Sequence, residues 1–235
     1  AEHALKEKFY VAAAKAFQEV ISSYPKFELR PQAHFGLART LEDSVFARDT
    51  ITTFSAYLTA RPTSAAMHEY ENIIAAYENV IRQYPSTQIA AHSLLRIAIL
   101  QQERSLDLSG AQSTLQKLNI DYTAYPAITM EGTLRLGDVL LARGDLSGAE
   151  KESLLLNQNA GGGDHKDRGA YRLAEIDYFK GNFKEALKKL RSLTLNVITD
   201  IANDAIKLQV FISDNTTSGD VELKQFAEAD FIVFG

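Results

Sequence analysis

Three arginines recur at near-constant spacing: Arg96, Arg135 and Arg172, at successive offsets of 39 and 37 residues. A guanidinium is a planar fork of donors that grips a carboxylate bidentately, so a periodic row of them suits an acidic segment. One helical turn from the row lie Arg39, Asp138 and Glu175, with Tyr171 and Tyr178 on the same side. Tyrosine adds stiff contact area of the kind that anchors interfaces. The spacing fits a second, plainer use equally well. In it each arginine pairs with an acidic residue of a neighbouring helix, or simply faces solvent.

Catalytic patterns are thin. The histidines are His3, His34, His68, His92 and His165, scattered with no H-E-x-x-H spacing. Asp164, His165 and Asp167 come nearest to a metal-ligand group, in the stretch GGGDHKD, which reads as a solvated inter-helix loop with a polar cap. Gly161, Gly162 and Gly163 are followed by Lys166 without G-K-[ST] and without a preceding strand, so a phosphate loop is not supported. The sequence contains no G-x-S-x-G. Asn215-Thr216-Thr217 matches a glycosylation sequon in a polar run and nothing more. The expectation is a non-enzymatic protein, with no cofactor and no metal.

Composition narrows the classes further. The 235 residues are 46% hydrophobic and 23% charged, an ordinary globular balance. The net charge of -5 and the lack of a basic run argue against nucleic acid. With no cysteine, disulfides and thiolate metal sites are excluded, and cytosol and bacterial periplasm fit equally. No apolar run approaches the length of a membrane span.

The elements that must position the arginines are helices. Leu136, Gly137, Gly144, Ala149 and Leu156 recur as Leu173, Ala174, Gly181, Ala186 and Leu193, all at an offset of 37. Such a period argues for stacked helix pairs, each meeting at a Gly-Asp or Gly-Asn turn. The two copies run from Ile128 to Leu156 and from Asp167 to Leu193. Weaker copies are Leu37-Ala38 with Leu41, and Ile97-Ala98 with Ala111.

Apolar spacing of three and four predicts helices over Glu2–Tyr24, Pro31–Asp43, Val45–Ala60, Met67–Tyr84, Thr87–Ser105, Ser109–Tyr122, Ile198–Ile212 and Val221–Phe234. Ser213–Asp220 reads as a loop. The aromatics Phe9, Phe17, Tyr24, Phe54, Tyr57, Tyr77 and Tyr84 fall at packing spacing and read as core. Proline ends the second helix of each pair, at Pro25, Pro62, Pro85 and Pro126. The interval from Pro62 to Pro85 has room for one helix where a pair is expected, which points to missing residues near 62–68. The last helix, over 221–235, lacks a partner in sequence, so the chain reads as a fragment of a longer protein.

Leu136-Gly137, Gly144-Asp145, Ala149 and Leu156, with their repeats at Leu173-Ala174, Gly181-Asn182, Ala186 and Leu193, resemble the tetratricopeptide repeat (TPR) family. The Tyr-Pro helix endings resemble its bacterial envelope subtype, although the family's Trp is absent. The resemblance implies an all-α fold: a single array over residues 1–235 forming a TPR-type right-handed superhelix of about eleven helices in antiparallel pairs. It implies a scaffold whose first helices line a concave groove. That groove would place Arg39, Arg96, Arg135, Asp138, Tyr171, Arg172, Glu175 and Tyr178 against a protein or peptide partner, one with acidic groups. The positions of the carboxylate clamp found in chaperone-binding members do not carry the Lys and Asn it needs. The alternative is a structural spacer or a self-association module, a homodimer in a longer envelope protein. The setting implied is the bacterial periplasm or cell envelope.

Overall fold

A computed structural model describes residues 1–52, 64–159, 163–194, 200–216 and 220–234. Among these residues the protein is all-helical, with no strand and twelve helices. They are α1 (Glu2–Lys6), α2 (Tyr10–Ser23), α3 (Arg30–Thr52), α4 (Ser64–Gln83), α5 (Gln88–Glu103) and α6 (Leu108–Asp121). The chain continues with α7 (Pro126–Ala142), α8 (Leu146–Asn159), α9 (Asp164–Phe179), α10 (Phe183–Thr194), α11 (Asp200–Thr216) and α12 (Asp220–Phe234). Helices adjacent in sequence pack on each other. No described helix is long and apolar enough to cross a membrane. The chain divides into two compact units, Ala1–Ile128 and Thr129–Gly235.

In the first unit the expected helix over Glu2–Tyr24 is two helices. Lys8 sits at φ 61, and the Phe9 N–H reaches back to the Ala4 carbonyl at 2.8 Å. No glycine or proline marks this break, so apolar spacing ran straight through it. Beyond it, α2 buries Ala13, Phe17 and Ile21 against Ala33 of α3. The next two expected helices are one. The chain from Asp43 to Val45 contains no breaker, Ser44 Oγ donates to the Leu41 carbonyl, and Val45 is buried. The residues expected to complete that helix to Ala60, with Phe54 and Tyr57, lie outside the described set, as do 62 and 63 of the interval expected to lack residues, whereas 64–68 open α4.

Two of the expected core aromatics are not core: Phe9 is 65% exposed and Tyr24 58%. Phe9 is the N-cap of α2 and Tyr24 its C-cap, so helical spacing does not set their direction. Phe17 and Tyr77 are buried, and Tyr84 is half-buried. Tyr77 joins Ala38, Val45, Tyr70, Ile73, Ile97 and Leu100 in the core that α3, α4 and α5 share.

In the second unit Ala174, Tyr178, Phe179, Phe183, Ala186 and Leu190 pack with Ala205, Ile212, Leu223 and Ala227. The run expected to be a loop from Ser213 is helical as far as Thr216, and α12 starts at Asp220. The Asn215 amide donates to the Phe211 carbonyl, a bond that carries α11 onward through polar residues. The last helix packs on helices that precede it. It turns Leu223 and Ala227 onto α9 and α11 and leaves Val221, Phe226 and Ile232 exposed.

Candidate functional site

The turn that joins each helix pair is built three times. After α7, Gly144 takes φ +80 and the Asp145 N–H bonds the Leu140 carbonyl at 2.8 Å. After α9, Gly181 takes φ +74 and the Asn182 N–H bonds the Asp177 carbonyl at 2.8 Å. After α5 the left-handed residue is Leu106, φ 55, and the Asp107 N–H bonds the Gln101 carbonyl at 2.8 Å. This copy is one residue longer, which accounts for one of the two residues by which the arginine offset of 39 exceeds the next, 37. Left-handed backbone suits glycine, and Leu106 pays with an exposed side chain. Asp107 and Asp145 cap the following helices at the amides of Gly110 and Gly148. Ala111, Ala149 and Ala186 are wholly buried at the same place in each second helix.

A Cβ at Gly137 would meet only ordinary contacts, the nearest being Ser153 Oγ at 3.8 Å. Ala98 and Ala174 occupy the equivalent positions without strain. Tighter glycines include Gly36, where a Cβ would fall 2.4 Å from the Phe17 ring, Gly110 and Gly148, where it would meet the capping carboxylates of Asp107 and Asp145, and Gly169, 3.2 Å from the Ser153 carbonyl.

In the first unit Arg96 is internally neutralised. Its Nε donates to Glu42 Oε2 at 3.1 Å and its Nη2 to Glu42 Oε1, while Tyr77 Oη donates to Oε2 at 2.5 Å. Glu42 is 0% exposed. Burial first, and then the neighbouring Glu42 carboxylate, push the Tyr77 phenol far above its usual range, so it stays a neutral donor. Arg39 is 41% exposed, with its Nε 3.6 Å from Asp43. It opens on a cavity of about 610 Å³ that Lys6, Lys8, Phe35 and Phe46 also line.

In the second unit a charge network laces α7 to α9. Arg135 bonds Glu131 at 3.0 Å, and His165 Nε2 lies 3.4 Å from the same carboxylate. Arg172 bonds Asp138 of α7 at 2.5 Å and Glu175 of its own helix. Burial raises the carboxyls of both Asp138 and Glu175 above their ordinary values, against the pull of Arg172. Asp164 pairs with Arg168 at 2.9 Å and His165 lies beside Glu131; Asp164, His165 and Asp167, expected in a loop, form the first turn of α9.

The expected site residues therefore separate by environment. Arg96, Arg135, Asp138 and Arg172 are held in ion pairs, whereas Tyr171, Tyr178 and Glu175, the last also paired with Arg172, come together on a cavity of about 330 Å³ between α9, α11 and α12. Its other walls include Phe211, Phe226 and Asp230. Tyr178 Oη donates to Asp230 Oδ2 at 3.3 Å. Burial, then nearby Glu175 and Asp204, raises the Tyr171 phenol, and burial, then Asp230, raises that of Tyr178.

Glu42 and Asp230 were missed in the sequence. Glu42 did carry a signal: it falls on the apolar stripe with Ala38 and Val45, and a charge on a buried face requires a partner. Asp230 carried none, because its partner is 52 residues away. Set against known proteins, the chain matches no family model and no curated protein.

Proposed function

We propose that this chain is a helical-repeat interaction scaffold of TPR type, non-enzymatic, which holds a segment of a protein partner on its first-helix surfaces. The observation that carries the reading is the turn built three times, each with one left-handed residue, a backward backbone bond from the residue after it, and a buried alanine in the second helix. A repeated unit that buries its apolar faces mainly on its sequence neighbours forms an array grown by repetition, and extended binding surfaces are the use such arrays serve. The right-handed superhelix and the bacterial envelope setting belong to the same proposal and rest on the resemblance in the repeats and the Tyr-Pro endings.

The partner contacts assigned by this reading are narrower than the whole arginine row. Arg96 and Arg172 already satisfy buried or half-buried carboxylates, so the open surfaces are the Arg39 cavity and the aromatic cavity at Tyr171. Affinity capture with the immobilised chain tests this. Arg39→Glu or Tyr171→Ala is expected to lose a partner retained by the wild type, with unchanged circular dichroism. Equal retention by all three would remove these cavities from the binding surface. Recovery of the chain's own copies alone would favour the second reading, a self-association module, for which the exposed Val221, Phe226 and Ile232 of α12 speak.

A further inference from the structure

The cavity between α9, α11 and α12 has a chemistry of its own. Four of its lining residues are aromatic: Tyr171, Tyr178, Phe211 and Phe226. The rings meet at angles. Tyr178 and Phe211 stand edge to face at 6.2 Å and 80°, and Phe211 and Phe226 tilt by 48° at 5.4 Å. Three carboxylates and one lysine share the lining: Glu175, Asp204, Asp230 and Lys207. Glu175 is held by Arg172, and Asp204 by Lys207 at 3.0 Å. Asp230 has no cationic partner among the described residues; it accepts one hydrogen bond, from Tyr178. Asp230 is exposed and lies one helical turn along α12 from Phe226, which is 53% exposed.

We propose that this cavity is an aromatic cage for the guanidinium of an arginine side chain in the bound partner segment. Angled rings present electron-rich faces that attract a cation within about 6 Å of the centroid, and the attraction grows as the cation sheds water. Tyr178, 1% exposed, is the floor of the cage, and half-buried Tyr171 and Phe211 with exposed Phe226 offer the accessible ring surface. Guanidinium fits better than ammonium: it is flat, stacks on rings and offers paired donors to a carboxylate. Asp230, anchored by Tyr178, supplies that carboxylate. Buried as they are, both phenols remain neutral, so their rings and donors keep one state at physiological pH. The volume of about 330 Å³ lies at the lower end of the range in which small ligands are held. The cage rests on the scaffold reading for the source of the arginine, and it reverses the charge expected of the partner at this place, from acidic to basic.

The test is an NMR titration of the chain, labelled in its aromatic side chains, with the peptide acetyl-Gly-Arg-Gly-amide. The citrulline peptide, its neutral isostere, serves as the control. The arginine peptide is expected to move the ring signals of Tyr171, Tyr178, Phe211 and Phe226 saturably, and the citrulline peptide is not. Asp230→Asn and Phe226→Ala are each expected to weaken binding about fivefold, and Phe226→Tyr to restore it. Asp230 and Phe226 are exposed, so amide spectra of the variants verify the fold. Equal shifts with citrulline, or affinity indifferent to both variants, would overturn the cage. Tighter binding of spermidine than of the arginine peptide would overturn the assignment to a partner's side chain. The two readings fail separately. Peptide binding at the cage with no partner retained on the immobilised chain would sink the scaffold. Retention that depends on Arg39 but not on Phe226 would sink the cage.

Discussion

Replacing Arg96 with methionine separates the two uses of the arginine row. The side chain keeps its length and apolar stem but loses the guanidinium. Glu42 is then 0% exposed with one donor left, Tyr77 Oη at 2.5 Å. Removing one member of a buried pair leaves an uncompensated charge and costs about 3–5 kcal/mol. At roughly 1.4 kcal/mol per decade, that lowers the folding equilibrium constant of the region by about two to three and a half orders of magnitude. Tyr77→Phe removes only one hydrogen bond to a charged group and is expected to cost about 1.5–3 kcal/mol. The double variant Arg96→Met with Glu42→Leu removes both charges from the interior and is expected to recover most of the loss. Urea unfolding followed by circular dichroism gives the totals, and amide exchange in α3 and α5 locates them. A loss below about 1 kcal/mol for Arg96→Met, or a double variant as unstable as the sum of the singles, would refute the reasoning. Arg96 would then be free to serve a partner.

Three further outcomes follow from the same geometry. Burial raises the Glu175 carboxyl, so the folded state binds its proton more tightly than the unfolded state does, and this term loses stability as pH rises from about 4.5 through the raised value. Glu175→Gln is accordingly expected to gain stability relative to wild type over that rise, as read from unfolding midpoints at several pH values. His34 and His92 shift the other way. Burial lowers both, helped at His34 by Arg30, so their contribution is lost as pH falls below 6.5; His92→Gln is expected to flatten part of that acid-side decline in thermal unfolding. Gly36→Ala drives a Cβ into the buried Phe17 ring and is expected to cost about 1–3 kcal/mol. Gly137→Ala meets open contacts and is expected to gain about 0.5–1 kcal/mol from helix propensity, both measured by urea titration.

Helices were legible wherever an apolar stripe ran between glycine or proline signals, as at α5 through α10. The 37-residue repeat located its turns to the residue, because Gly144 and Gly181 take a backbone conformation that few other residues tolerate. What failed was punctuation without a marker. Lys8 adopts left-handed backbone with no glycine to announce it, and the junction at Ser44 contains nothing that ends a helix. The candidate site was legible as spacing only. Period placed Arg96 and Arg172 on one kind of face, but pairing depends on residues far along the chain, such as Glu42, 54 positions from Arg96. The cage was half visible: Tyr171, Glu175 and Tyr178 share a helix, whereas Phe211, Phe226 and Asp230 arrive from two later ones.

Partner contact can be read directly with a photo-crosslinking residue in the intact chain. Phe226→p-benzoylphenylalanine places the probe at the cage rim, and Ile120→p-benzoylphenylalanine, at a residue 74% exposed on α6, serves as the control. The scaffold account predicts a discrete adduct with one other protein from position 226 on irradiation in cells, and none from position 120. No adduct at 226, or one formed only with a second copy of this chain, would contradict it.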